Sequence, residues 1–204
     1  MVTGFLGQIN KKYGDGFDEK GKQYMYFALD GATRMRQMTL DLLDYSRVGH
    51  TDDKRERVDL QELVFGITGS FRKQAEELNA IINVDQLPVL NTFRGPARQV
   101  FQNLIGNALK YHHAGSAPNI KISAEDKGDH WKFAVTDNGI GINSAHLKEI
   151  FLPFKCLHSR EEYPGTGMGL AITKKIVENL CGNITVDSLE GGGSKFYFTL
   201  PKAS

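Results

Sequence analysis

Asn103-Leu104-Ile105-Gly106-Asn107-Ala108-Leu109-Lys110-Tyr111, followed downstream by Asp137-Asn138-Gly139-Ile140-Gly141 and Gly165-Thr166-Gly167-Met168-Gly169-Leu170, decides how this sequence is read. The first stretch has no proline, one glycine and apolar residues at helical spacing, so it predicts a helix, from Arg94 to Tyr111. Asn103, Asn107, Lys110 and Tyr111 stand three or four apart and share one stripe of it. Val100, Phe101, Leu104, Ile105 and Ala108 cover much of the rest and are expected to face a core. Two amides, a lysine and a tyrosine make a poor core face but a sensible wall for a nucleotide. Amide oxygens suit Mg²⁺, a hard cation; the lysine can neutralise phosphate and the tyrosine can lie against a base.

The segments around this helix alternate between strands and helices. Ala80–Val84, Ile120–Ala124, Trp131–Thr136, Ile184–Ser188 and Lys195–Leu200 read as strands, the last two joined by the glycine-rich turn Glu190–Ser194. Asp59 with Glu62 three positions on resembles a capping box, opening a helix that reaches about Leu78. Gly169–Leu180 is a helix closed by Gly182, and a short helix is expected near Ser144–Ile150 in an otherwise irregular 137–165. Helices and strands do not alternate as βαβ repeats. The pattern predicts an α+β domain, a mixed sheet covered by helices on one face.

Asp137 follows a strand, where a carboxylate can accept the exocyclic amine of adenine. Gly139 and Gly141 let the backbone approach a base closely. Gly165, Gly167 and Gly169 lead into a helix, and N–H groups at a helix start form an anion site. A dinucleotide-fold reading of these glycines fails because the stretch before them is polar loop, and a Walker A reading fails because no Gly-Lys-Ser/Thr follows. His112-His113 does not read as a metal site: adjacent histidines diverge on a helix, and a helix C-terminus suits partial positive charge.

The chain has 204 residues, is 40% hydrophobic and carries a net charge of +1. That length suits one or two domains. The charge makes no case for nucleic acid or for an anionic membrane as partner. Cys156 and Cys181 stand far apart without a disulfide pattern, as expected in a reducing cytoplasm, and no apolar run reaches the length of a membrane span. Met1–Asn10 lacks the basic start and apolar stretch of a signal peptide.

Upstream of the sheet the sequence is helical. Met1 to about Lys12 reads as the end of a helix, Tyr13–Asp18 as a turn, and Glu19–Arg47 as a longer helix. Tyr24, Phe27, Gly31, Met35, Met38, Leu42 and Tyr45 follow at spacings of three and four, close to a coiled-coil seam. A hairpin this short is expected to pair with a second copy as a four-helix bundle. Val48–Arg57 is a charged connector, so the expected division is a hairpin at 1–57 and an α/β domain at 58–204.

Asn-x-x-x-Asn-Ala-x-Lys-Tyr, Asp-x-Gly-x-Gly and Gly-Thr-Gly-x-Gly-Leu, in this order, resemble the N, G1 and G2 boxes of sensor histidine kinases, and Phe151-Leu152-Pro153-Phe154 resembles the F box between them. The Leu-Leu-x-Tyr-Ser-Arg ending at Arg47 resembles the second dimerisation helix of the phytochrome-like class. The resemblance implies a Bergerat-type α/β sandwich after a dimerisation hairpin, with ATP and Mg²⁺ as ligands. It makes Asp137 the adenine-binding residue and Asn107 the Mg²⁺ ligand, with Asn103 close to metal or phosphate. It sets Lys110 on phosphate and Tyr111 near the adenine or ribose. Gly139, Gly141 and Gly165–Leu170 belong to the same ATP site.

Residues 155–164 are similar to the family's ATP lid, where Lys155, His158 and Arg160 are candidates for the β- and γ-phosphates. Phe151 and Phe154 are expected to anchor that lid. The implied reaction passes the γ-phosphoryl of ATP to a histidine and onward to an aspartate of a response regulator receiver domain. One departure stands out: no H box is present, so no catalytic phosphoacceptor is assigned here. The acceptor is expected upstream of Met1, in keeping with a shortened chain, and His50 is taken as a solvated connector residue. Two other readings remain open at this point. One is a gyrase- or Hsp90-type ATPase, which uses a glutamate where Asn103 stands. The other is a dimeric signalling scaffold without kinase activity.

Overall fold

A computed structural model describes residues 1–49, 54–159 and 162–202. His50 and Arg160 lie outside the described residues. The chain divides into two units, Met1–Ser46 and Arg47–Ser204.

The first unit holds α1 (Val2–Tyr13), a turn of 3-10 helix at Gly14–Gly16, and most of α2 (Glu19–Arg47). Asp18 Oδ1 accepts a hydrogen bond from the Gly21 N–H at 2.7 Å, capping the start of α2 where the sequence predicts a turn. Ala32 is the one buried residue of α2 among those described. The apolar seam is therefore left uncovered in a single chain: Phe27 and Met35 are 57% and 63% exposed.

The second unit is built on a five-stranded mixed sheet. Its strands are β2 (Ile81–Val84), β4 (Asn119–Asp126), β5 (His130–Asp137), β6 (Ile184–Ser188) and β7 (Ser194–Pro201), in the order β2-β4-β5-β7-β6. Only β2 and β4 run parallel; the other pairs are antiparallel. Alternation sets the faces. Ile120 and Ile122 of β4, Phe133 and Val135 of β5, and Phe196, Phe198 and Leu200 of β7 are all buried on one side. Opposite them pack α5 (Arg94–Lys110) and α6 (Gly169–Asn179). Phe101 of α5 meets Phe198 and Phe133 edge-on, with centroids at 5.2 and 5.7 Å, while those two rings stack at 5.0 Å. Such pairs add to what area burial alone supplies. The other sheet face carries Lys132, Lys195 and Tyr197, with both ammonium groups over the tyrosine ring at 4.0 and 4.9 Å. The mixed sheet with helices on one face is thus as the sequence predicts.

The same period of two places the functional end of β5. Asp137 has the parity of Phe133 and Val135, so the strand delivers its carboxylate between sheet and helices rather than to the polar face.

Three local features differ from expectation. Part of the charged connector is a strand: β1 (Glu56–Asp59) pairs antiparallel with β3 (Val89–Thr92) as a separate two-stranded sheet. The helix expected from Asp59 to Leu78 is interrupted at Phe71, leaving α3 (Leu60–Ser70) and α4 (Arg72–Glu77). Gly66 and Gly69 weaken α3, and the hydroxyls of Thr68 and Ser70 turn back to the carbonyls of Phe65 and Ile67. Near Ser144–Ile150 there are two 3-10 turns, Ser144–His146 and Glu149–Phe151, not one helix. The Asp59 cap is present, accepting from the Glu62 N–H at 3.0 Å.

Candidate functional site

One pocket, with about 580 Å³ of empty space open to solvent, brings together seven of the residues singled out in the sequence. Asn107 and Tyr111 line it from the end of α5, Asp137 and Gly141 from the loop after β5, Lys155 and His158 from the 155–158 segment, and Leu170 from α6. Ile140, Ile142, Ile150 and Phe196 supply an apolar floor, and Cys156 and Leu157 complete the rim. An apolar floor with a few convergent polar groups is the usual make-up of a small-ligand site.

Asp137 is the one carboxylate of the lining among the described residues. Its Oδ1 accepts from the Gly139 N–H at 2.9 Å and the Ser194 N–H at 3.1 Å. Burial raises its pKa above the ordinary aspartate range, and these two N–H groups oppose the rise. Oδ2 accepts no hydrogen bond among the described residues, so it is the atom available to a ligand donor.

Glycine is required in the loop that follows. A Cβ on Gly139 would stand 2.1 Å from the Tyr111 carbonyl oxygen, and the Ile140 N–H donates to that same oxygen at 3.0 Å. Gly141 has φ +70°, and a Cβ there would lie 1.9 Å from the Leu189 carbonyl oxygen. The loop is thus clamped between the end of α5 and the β6–β7 turn. Asn138 ties it to the start of β4, accepting from the Asn119 N–H at 2.7 Å and donating to Ala117 O at 3.1 Å.

The two asparagines of α5 are placed differently. Asn107 lines the pocket, and its side-chain amide makes no hydrogen bond among the described residues. Asn103 is set back: its Nδ2 donates to Gly169 O at 3.1 Å and to Thr173 Oγ1 at 3.2 Å, fastening α5 to the first turn of α6. No group of three or more His, Cys, Asp or Glu that could hold a metal occurs among the described residues. An amide oxygen without a carboxylate cage fits Mg²⁺, which keeps waters and takes the rest of its shell from phosphate. His112 is a helix-end residue, its Nδ1 2.9 Å from Leu109 O.

Lys110 does not line the pocket. Its Nζ donates to the Tyr111 hydroxyl at 2.8 Å, and a Cβ on Gly165 would come within 2.9 Å of the same ammonium. Lys155 pairs with Glu149 at 2.7 Å, and Glu149, also 3.2 Å from His146, is held below the ordinary glutamate range by these two neighbours. Gly167 has φ +76° and closes tightly on Phe154 and Lys155. The Met168 side chain is fully buried in the core, so it is not among the pocket groups.

Tyr163 falls within the lid expected at 155–164 but is given no role of its own in the sequence reading, although it joins three parts of the site. Its ring lies 5.1 Å from that of Tyr111 and 5.3 Å from that of His158, and its hydroxyl donates to His112 O at 3.3 Å. The only signal for it in the sequence is an aromatic residue two places before the glycine run. No helix among the described residues is long and apolar enough to cross a membrane.

Comparison with known proteins places these features. Residues 94–204 match the family described as histidine kinase-, DNA gyrase B- and HSP90-like ATPase. The phytochrome-like protein Cph1 of Synechocystis sp. is 39% identical over 98% of this chain. The match takes in 27% of Cph1, so the chain spans about a quarter of the length of that curated relative. Among solved structures, the catalytic domain of histidine kinase ThkA is 27% identical, with a TM-score of 0.62 over 73% of this chain and 96% of that one. The full-length ShkA structure in complex with AMPPNP shares the fold over 100% of this chain and 43% of its own, at 23% identity and a TM-score of 0.74.

Proposed function

This chain belongs to the histidine kinase-, DNA gyrase B- and HSP90-like ATPase family, and from that premise we propose that it is the ATP-binding catalytic region of a phytochrome-like sensor histidine kinase. The observation that carries the reading is Asp137, delivered by β5 into the pocket with Oδ2 uncommitted beside Asn107 and Tyr111. Oδ2 accepts the exocyclic amine of adenine, which guanine lacks at that position. Tyr111 lies against the base or ribose. Asn107, with Asn103 behind it, presents amide oxygen to Mg²⁺, which when bound supplies positive charge at the triphosphate.

Lys110, Lys155, His158 and Arg160 are the side chains offered to the phosphates, and the N–H groups of Gly165–Leu170 extend that anion site. Chain groups in such a transfer mostly position and neutralise charge. The γ-phosphoryl goes to a histidine supplied outside the motifs of this chain, and then to an aspartate of a response regulator receiver domain. The exposed seam of α2 supports a homodimer through the helical hairpin at 1–57, with 58–204 as catalytic domain. Free Cys156 and Cys181 agree with a cytoplasmic setting.

Calorimetric titration with ATP and Mg²⁺ tests the reading. Binding should require Mg²⁺ for full affinity and exceed that of GTP by at least about tenfold. Absence of ATP binding overturns it and favours the scaffold.

A further inference from the structure

We propose that Tyr163 is a positioning residue of the nucleotide pocket, setting a wall that it does not itself line. Tyr111 and His158 both line the pocket, one from α5 and one from the 155–158 segment, and their rings stand 6.0 Å apart. Tyr163 lies behind the pair and touches both, at 5.1 and 5.3 Å. Its hydroxyl reaches His112 O, just past the end of α5. Tyr111 is thus held twice: at its hydroxyl by Lys110 and at its ring by Tyr163. Gly165 brings the chain after Tyr163 near the Lys110 ammonium, which a Cβ there would approach to 2.9 Å. The half-buried Tyr163 ring thus reinforces the direct contact between His158 and Tyr111 in registering the segment that carries His158 against the end of α5.

This inference rests on the pocket being the nucleotide site, and the test keeps the two apart. The full chain is compared with Tyr163→Phe, Tyr163→Leu, His158→Ala and the double variant. Amide hydrogen exchange at 111–113 and 155–159 is followed without ligand, and ATP·Mg²⁺ affinity is followed by calorimetry. Tyr163→Leu should speed exchange at both segments and weaken ATP by about tenfold, while Tyr163→Phe, which keeps the ring contacts, stays within about twofold. In the His158→Ala background, Tyr163→Leu should add less than half of its loss in the parent.

Unchanged exchange in Tyr163→Leu overturns the proposal, as does an equal loss in the Phe and Leu variants or full additivity in the double. If the parent chain binds no ATP, the functional reading falls while the exchange comparison still decides the role of Tyr163. A thermal midpoint unchanged in Tyr163→Leu separates positioning from unfolding.

Discussion

Asp137→Asn should separate affinity from stability in opposite directions. Asparagine keeps the oxygen that accepts from the Gly139 and Ser194 N–H groups, so the loop and the β5–β7 end retain their contacts. It replaces Oδ2 with an amide N–H₂ that faces the adenine amine donor to donor. The loss is one hydrogen bond to a charged acceptor and one donor left unpaired, about 2 to 4 kcal/mol in all. That is roughly a 30- to 700-fold weaker ATP constant. GTP should lose less, because an amide donor suits O6 of guanine, so the preference for ATP narrows.

Stability runs the other way. Burial raises the Asp137 pKa, so the folded state prefers the neutral acid. The stability present below the ordinary value of 3.8 is lost as pH rises from there through the raised value. Asparagine removes that loss, so urea unfolding at neutral pH should place the variant above the parent, and the gap should close in acid. ATP affinity within threefold of the parent would refute the adenine contact. Lost affinity with lower stability would mean that the loop has misfolded and that the geometry described for Asp137 is wrong.

ATP binding to the parent should weaken on acidification, beginning above pH 3.8, and release protons near the free-state value because the adenine amine favours the carboxylate. Calorimetry in two buffers of different ionisation enthalpy measures this, and Asp137→Asn should abolish it. Gly141→Ala forces a Cβ against Leu189 O at positive φ and threatens the Gly191 N–H to Ile140 O bond of 2.7 Å. It should cost about 2 to 3 kcal/mol in urea unfolding, and a change under about 0.5 kcal/mol would count against the clamp. Lys155→Ala breaks an exposed pair with Glu149 and should move stability by under about 0.5 kcal/mol. ATP affinity should fall about three- to tenfold, with a shallower salt dependence, whereas an unchanged constant would leave Lys155 to Glu149 alone.

The long, strongly patterned elements were legible from sequence. α5, α6, β4, β5 and β7 show their buried faces in apolar spacing, and Asp137 declares itself by standing at the end of an alternating strand. The short pair β1 and β3 was not legible. Each has four residues, and Glu56 and Arg57 look like connector because an isolated two-stranded sheet needs no long apolar face. The α3–α4 break depends on hydroxyl-to-carbonyl bonds that composition does not announce. Within the site, residue type was informative and direction was not. Asn103 and Asn107 are one helical turn apart on the same stripe, yet one amide is spent on Gly169 and Thr173 and the other faces the pocket. Met168 sits inside a glycine motif but fills the core, and Tyr163 acts through contacts far apart in sequence.

The turn Leu189–Gly193 invites a misjudgement in protein engineering. Exposed, glycine-rich hairpin tips are where tags, reporters and inserted domains are ordinarily grafted with least harm. Here Leu189 O is pressed against Gly141, Gly193 leaves no room for a Cβ beside Asp137 O, and Glu190 accepts from Asn143 at 2.8 Å. A graft at this tip would displace the Asp137 carboxylate from a distance in sequence of more than fifty residues. The β4–β5 turn at Lys127–Asp129, at the other end of the sheet, has Gly128 in open space and is the better place to attach a probe.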